Sequence, residues 1–276
     1  MKQSDEIKSN SWALVTGASG GIGLAYAEEL AKKKQSVILV ARNEKKLIEL
    51  SEQLSQQYGV ATKTIAADLS SLEGVNQLIS ETEKLKVDVL INNAGKEESG
   101  DFLTLPPDEM LSSIALNCSA PLLLTHHFAN KMARQGGGNI LFISSIVAFQ
   151  GVPLIANYAA TKSYLLTFAE GIALELESQG VNISIAAPGF TKTNLAPHQN
   201  FENTPFKPLD AEFVARYTLN KLGKQRLIIP GFINKVLFYL GKYLQTRRKN
   251  SQAFGKVFRL VLRDKLTITD TAKVES

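Results

Sequence analysis

The sequence predicts a doubly wound α/β fold, a single domain built on a parallel sheet with helices on both faces. Three observations carry that prediction. Short apolar runs alternate with helical stretches at a period of roughly 25–40 residues, as in chains of βαβ units. The runs are apolar throughout, as strands buried on both faces must be, and do not alternate with polar residues. A glycine-dense turn directly follows the first run.

Each element follows in order. Trp12-Ala13-Leu14-Val15 reads as the first strand, Thr16 to Gly23 as the turn and Leu24 to Lys34 as a helix. Ser36 to Ala41 (SVILVA) is the second strand, and a charged helix runs from Asn43 to about Tyr58. Ala61 to Ala67 is strand-like, Ser71 to Lys86 helical, and Val87 to Ile91 the next strand, stopped by Asn92-Asn93-Ala94-Gly95. One long helix covers about Pro107 to Arg134, followed by a strand from Asn139 to Ser144. A helix over Tyr158 to Gln179 leads to a strand at Val181 to Ala186 and to Pro188-Gly189. The stretch from Gly189 to Asp210 is loop-like and long enough to serve as a lid. Leu227 to Pro230 is placed as a last strand. No linker or composition break divides residues 10–230, and residues 231–276 form a C-terminal extension.

Composition narrows the function. The 276 residues are 44% hydrophobic and 21% charged, enough for one large buried core. The net charge of +5 is a partition: residues 221–265 hold 12 of the 31 Lys and Arg against the single acid Asp264, and are +11. The remainder, with 19 bases and 25 acids, is −6, which excludes a basic body built to grip nucleic acid. A single cysteine, Cys118, forms no intrachain disulfide and no cysteine zinc site; His126, His127 and His198 lack ligand spacing, so no metal is expected. The polar start Met1-Lys2-Gln3-Ser4-Asp5-Glu6 is unlike a secretory signal, and no apolar run reaches about 18 residues, so a cytoplasmic setting is expected.

The turn Thr16-Gly17-Ala18-Ser19-Gly20-Gly21-Ile22-Gly23 joins a strand to a helix. Glycines there let backbone approach a pyrophosphate lying on the helix N-terminus. Their spacing, with glycines at 17, 21 and 23, differs from the usual Gly-x-Gly-x-x-Gly. The second strand ends Val40-Ala41-Arg42-Asn43, without an acid for a free ribose 2′-hydroxyl. Arg42 presents a planar fork of donors suited to a 2′-phosphate, so NADP(H) is favoured over NAD(H). Tyr158 and Lys162, four apart, share one helix face, where an ammonium would lower a phenol's pKa and ready it for proton exchange with an alcohol or ketone oxygen.

Taken in order, TGASGGIG at 16–23, Asp68-Leu69, NNAG at 92–95, Asn117, Ser144-Ser145, YAATK at 158–162 and PGFTKT at 188–193 resemble the short-chain dehydrogenase/reductase family over about residues 10–230. The resemblance implies a Rossmann-type sheet and a tetrad of Asn117, Ser145, Tyr158 and Lys162. Tyr158 would be the general acid in reduction and the base in oxidation. Lys162 would lower its pKa and hold the nicotinamide ribose, Ser145 would bond the substrate oxygen, and Asn117 would hold a relay water. Gly17, Ser19, Gly21, Ile22 and Gly23 would surround the cofactor phosphates. Arg42 would meet the 2′-phosphate, and Asp68 and Leu69 would border adenine. Asn93 would approach the adenosine side with Gly95 beside it, and Thr191 and Thr193 would hold the carboxamide and pyrophosphate region.

These readings give an NADP-dependent oxidoreductase that interconverts a ketone or aldehyde and an alcohol on a small hydrophobic substrate, acting as a homodimer. A 3-oxoacyl thioester reductase of lipid synthesis and a non-catalytic NADP-binding regulatory protein are the alternatives. The chain departs from the Gly-Gly-containing last strand of bacterial ketoacyl reductases, reading Arg226-Leu227-Ile228-Ile229-Pro230-Gly231 instead. In the extension, Phe232 to Gln245 and Phe254 to Leu262 are basic amphipathic helices separated by Arg247-Arg248-Lys249. Residues 232–263 fit peripheral contact with an anionic membrane, a cover over the substrate cleft or a packing surface for a neighbouring subunit or acidic partner.

Overall fold

A computed structural model of the chain describes residues 11–193, 195–202 and 204–266. The polar leader and the last ten residues of the extension lie outside the described residues. The sheet is formed by β1 (Trp12–Thr16), β2 (Ser36–Ala41), β3 (Thr62–Ala66), β4 (Val87–Asn92), β5 (Gly138–Ile143), β6 (Val181–Ala186) and β7 (Leu227–Ile228). All neighbours pair in parallel, in the order β3-β2-β1-β4-β5-β6-β7. The order reverses between β1 and β4, which opens a crevice at the carboxyl ends of the strands, where such folds bind ligands.

Why the strands are apolar on every residue is visible in the two core layers. Leu14, Ile38, Leu90, Ile140, Phe142 and Ile183 face α3 (Leu72–Glu81), α5 (Ala120–Arg134) and α6 (Ala156–Leu176), through Leu78, Phe128 and Leu165. Their neighbours Ala13, Val15, Val37, Leu39, Ile91 and Leu141 face the other way. That second layer packs on α1 (Gly21–Lys32), α2 (Glu44–Tyr58) and α7 (Ala211–Leu219), through Tyr26, Leu47 and Ala215. Successive side chains point to opposite faces, so both sets must be hydrophobic.

Local signals set the helix ends. The Asn43 side chain accepts from the Lys46 N–H at 3.0 Å to open α2, and Gly59 in the left-handed region (φ 64°) closes it. Ser71 caps α3 in the same way, accepting from the Gly74 N–H at 3.0 Å.

Three elements differ from the sequence expectation. The expected helix from Pro107 to Arg134 is α4 (Pro107–Ile114) and α5, joined by a π-helical turn at Ala115–Ser119. Pro121 explains the break, since it has no N–H for the carbonyl of Asn117 four residues back. Helix α7 follows the long loop where no element was expected. The extension folds as α8 (Phe232–Tyr243) and α9 (Arg247–Val261), so Arg247-Arg248-Lys249 opens α9 and does not act as a spacer.

The helices α8 and α9 are packed onto the body. Phe238, Phe258 and Leu262 join Ile146, Val147, Val152, Ile155, Tyr158 and Ala159 in a third hydrophobic cluster. Gly255 is buried against Pro153, and the side-chain amide of Asn250 donates to Gln150 at 3.2 Å. Among the described residues no helix is long and apolar enough to cross a membrane.

Candidate active site

A cavity of about 1800 Å³ runs from the turn after β1, across the carboxyl ends of the sheet, to the inner faces of α8 and α9. One end is a backbone cradle. Gly17 holds φ at +69°, where a side chain is strained. A Cβ on Gly23 would lie 2.2 Å from the Gly17 carbonyl oxygen, so helix and turn approach as closely as they do only with glycine there. Gly20, the N-cap of α1, offers no side chain to the first-turn N–H groups, and that turn holds no acid. The positive end of α1 is therefore left to the cavity, with Ser19, Gly21 and Ile22 on its wall.

Beside the cradle, Arg42 is exposed at the cavity rim. Asp68 is held below the usual carboxylate range by the Ser70 backbone N–H (3.0 Å) and hydroxyl (2.7 Å), with a contribution from the Arg42 charge. Leu69 lines the same wall. Asn93 lines the same cavity. Its side-chain amide donates to the carbonyls of Thr16 (2.8 Å) and Gly17 (3.4 Å), bracing the glycine turn from β4. Thr193 lies across the cradle, its Cβ 3.1 Å from where a Cβ of Gly21 would stand, and the Thr191 hydroxyl donates to the Gly189 carbonyl at 3.0 Å.

The polar side chains of the middle section come from four separate elements. Helix α6 carries Tyr158 and Lys162, both buried, with the ammonium 5.5 Å from the Tyr158 ring centre. Lys162 Nζ donates to the Ile143 carbonyl at the end of β5 at 2.8 Å. Burial lowers its pKa to about 8. Ser145 follows β5; its hydroxyl donates to the Pro188 carbonyl at 3.4 Å and lies close enough to the Tyr158 hydroxyl to favour the phenolate. Its neighbour Ser144 turns inward and donates to the Lys162 carbonyl at 2.8 Å, which makes it part of the frame. From the π-turn, the amide of Asn117 donates to the Lys96 carbonyl (2.9 Å) and Thr161 Oγ1 (3.0 Å), and its oxygen accepts from the Lys96 N–H (2.9 Å). A Cβ on Gly95 would be 3.2 Å from Asn117 Oδ1 and 3.4 Å from Lys162 Nζ, so the loop after β4 closes on both.

The expected lowering of the Tyr158 pKa is not met. Burial pushes the phenol well above its ordinary value, and Glu97 and Glu98 push the same way against the Ser145 hydroxyl. Two carboxylates thus stand near the phenol that motif reading left out. Glu98 is buried and bound by Ser113 and Asn157. Glu97 is on the cavity wall, its carboxylate accepting from Gln199 Nε2 at 3.0 Å, and burial raises its pKa to about 7. The acid pair after NNAG was visible in the sequence, but only the path of the loop shows which member faces the cavity.

Beyond the polar section the walls are apolar: Val147, Phe190, Phe206, Leu237, Phe254 and Phe258. The 189–210 loop and the two C-terminal helices supply most of this lining. Only Phe190, inside PGFTKT at 188–193, falls in a motif, because aromatic and aliphatic positions are otherwise read as core until the surface they face is known.

Known proteins share this arrangement. The chain is 35% identical over 189 residues to very-long-chain 3-oxoacyl-CoA reductase-B of Danio rerio, covering 67% of this chain and 61% of that one. It is 33% identical to reductase-A of the same organism, over 79% of this chain and 69% of that protein. Compared with the first of these, it spans about six tenths of the length. Among solved structures, a 7β-hydroxysteroid dehydrogenase superposes with a TM-score of 0.82 at 27% identity, covering 90% of this chain and 98% of that one. A short-chain dehydrogenase from Sphingobium yanoikuyae in complex with NADPH gives a TM-score of 0.74 at 29% identity, over 80% and 87% of the two chains. The family model for short chain dehydrogenase matches residues 11–203, from the first strand into the loop over the cavity, and the chain belongs to that family.

Proposed function

We propose that this protein is an NADP(H)-dependent oxidoreductase that interconverts a carbonyl and an alcohol on a hydrophobic substrate. The observation that carries the reading is the meeting of Ser145, Tyr158 and Lys162 midway along one cavity, between a glycine cradle and an apolar chamber, with Asn117 buried behind them on Thr161. The cradle fits a dinucleotide: Gly17, Ser19, Gly21, Ile22 and Gly23 would take its phosphates, Arg42 a 2′-phosphate, and Asp68 and Leu69 the adenine side. Gly95, Thr191 and Thr193 border the same channel, with Asn93 holding the cradle in shape. When bound, the cofactor supplies or accepts hydride at the nicotinamide ring.

The protein's own part is proton handling and orientation. Ser145 Oγ and the Tyr158 hydroxyl donate to the substrate oxygen and stabilise the charge that develops on it. Tyr158 then gives its proton to that oxygen. Its raised pKa suits reduction: the phenol stays protonated and still transfers downhill to an alkoxide, a stronger base than phenolate. Lys162, fixed on the Ile143 carbonyl, keeps a cation beside the phenolate so formed. Asn117, buried and bound to Lys96 and Thr161, sets the wall behind Lys162 and would hold a relay water. Tyr158→Phe is expected to lower turnover by about 10²- to 10⁴-fold while NADPH still quenches protein fluorescence with unchanged affinity. Retained turnover would overturn the reading.

A 3-oxoacyl thioester is the second substrate reading, favoured by the two curated relatives and by the apolar chamber. For partners, we infer that α8 lies against an anionic membrane surface. Phe232, Ile233, Tyr239, Tyr243 and Leu244 are 55–80% exposed, beside the bases Lys235, Lys242, Arg247, Arg248 and Lys249. A second copy would bring like charges together there. The homodimer contact is assigned instead to the exposed apolar residues Leu111, Leu122, Tyr164 and Leu174 on α4, α5 and α6.

A further inference from the structure

We infer that Glu97 is a specificity-determining residue that hydrogen-bonds a second oxygen of the substrate, close to the carbonyl that Tyr158 and Ser145 hold. The inference rests on the catalytic reading above and assigns a role to a side chain outside the tetrad. A carboxyl on the wall of a chamber that is otherwise largely apolar costs free energy unless a polar group meets it. Within the protein, Gln199 Nε2 occupies one of its oxygens at 3.0 Å. Glu97 and Tyr158 line the same cavity and sense each other's charge. A substrate oxygen bonded at Glu97 therefore belongs to the same end of the molecule as the reacting carbonyl, with the apolar body extending between Phe254 and Phe258. A 3-oxoacyl thioester has that layout: a reacting ketone, a second carbonyl two carbons away and an alkyl chain.

The protonation state decides what Glu97 can offer. Lys162 on α6 and Lys265 after α9 favour its charged form, whereas burial and Glu98 on its own loop oppose it more strongly. Lys265 is also held at Ser99, donating to its carbonyl at 2.6 Å. With a pKa of about 7, Glu97 is an acid donor below that pH and an acceptor-only carboxylate above it. Donation to a carbonyl oxygen is thus available on the acid side and lost as the pH rises.

The test compares a 3-oxoacyl thioester with a plain long-chain ketone of equal chain length, using the full protein and NADPH. In wild type, the ratio of kcat/KM values, thioester over ketone, is expected to fall as pH rises through about 7. Glu97→Leu should lower that ratio by about tenfold or more, since an unmet substrate carbonyl loses the bond and its desolvation is uncompensated. Glu97→Gln, which keeps a donor without titrating, should hold most of the ratio and make it independent of pH. If Glu97 only fastens the 189–210 loop through Gln199, both substrates lose equally and the ratio does not move, which overturns the inference. Gln199→Ala separates the two roles, because loosening the loop alone should leave the ratio intact. Turnover of neither substrate by wild type would instead defeat the catalytic reading itself.

Discussion

Arg42 directly follows β2 at the rim of the cavity, one residue before the cap of α2. A charge-assisted bond to a phosphate contributes about 1.5–3 kcal/mol, so Arg42→Asp should raise the KM for NADPH by roughly 10- to 100-fold. The KM for NADH should stay level or fall, because an acid at this position can bind a ribose hydroxyl. Paired initial-rate measurements with the two cofactors check the switch. At this scale the sequence was most informative where a residue's neighbours are local. Strand alternation sends Ser144 and Ser145 to opposite sides, the family resemblance selects Ser145, and helix spacing puts Tyr158 with Lys162. The bonds by which Asn93 braces the glycine turn were not legible, since its partners Thr16 and Gly17 lie more than 75 residues away. The Tyr158 pKa was misjudged because burial, set only by the assembled fold, raises it most, with Glu97 and Glu98 from the loop after β4 adding to the rise.

At the scale of elements, α8 and α9 divide their residues between two duties. Their inner faces line the cavity through Leu237, Phe254 and Phe258, Phe232 and Ile233 border it while largely exposed, and Tyr239, Tyr243 and Leu244 remain exposed beside a row of bases. Arg247, Arg248 and Lys249 open α9 without an acid in its first turn, so the helix dipole adds to their positive field. Replacing Lys235, Lys242, Arg247 and Arg248 by Gln should reduce sedimentation with phosphatidylserine vesicles by more than about a hundredfold, at about 1 kcal/mol per base. Unchanged sedimentation, or equal binding to neutral vesicles, would count against the membrane reading. Amphipathic spacing made both helices readable in the sequence. It could not say which apolar face met protein, because a stripe for a core and a stripe for a lipid surface share one period. The π-turn had a readable cause in Pro121, although helical periodicity across residues 107–134 concealed it.

Across the whole molecule, the −6 body and the +11 segment are one cooperative structure. Phe258, 2% exposed, sits in the cluster that contains Tyr158, Val147 and Ile155. Phe258→Ala should cost about 3–5 kcal/mol and lower the melting temperature by several degrees, measured by calorimetry. A tail that merely hung from a finished domain would show no such loss. The parallel sheet with helices on both faces was legible in the alternation of elements, whereas the strand order 3-2-1-4-5-6-7 came only with the structure. The third cluster was not, since it joins residues 146–159 to residues 238–262 through contacts that no local pattern encodes.

That third cluster also bears on biosynthesis. Chains emerge from the ribosome N-terminus first, and domains generally fold as units during synthesis. The cradle after β1 and the tetrad are all translated by residue 162, yet the wall formed by α8 and α9 closes only once residues up to Leu262 are available. A nascent chain therefore holds its catalytic groups before it has an enclosed chamber, and Ile146, Val147, Val152 and Ile155 stay uncovered during that interval. The last helices act as a completion seal: enclosure of the apolar chamber comes only to molecules whose translation has run past the sheet.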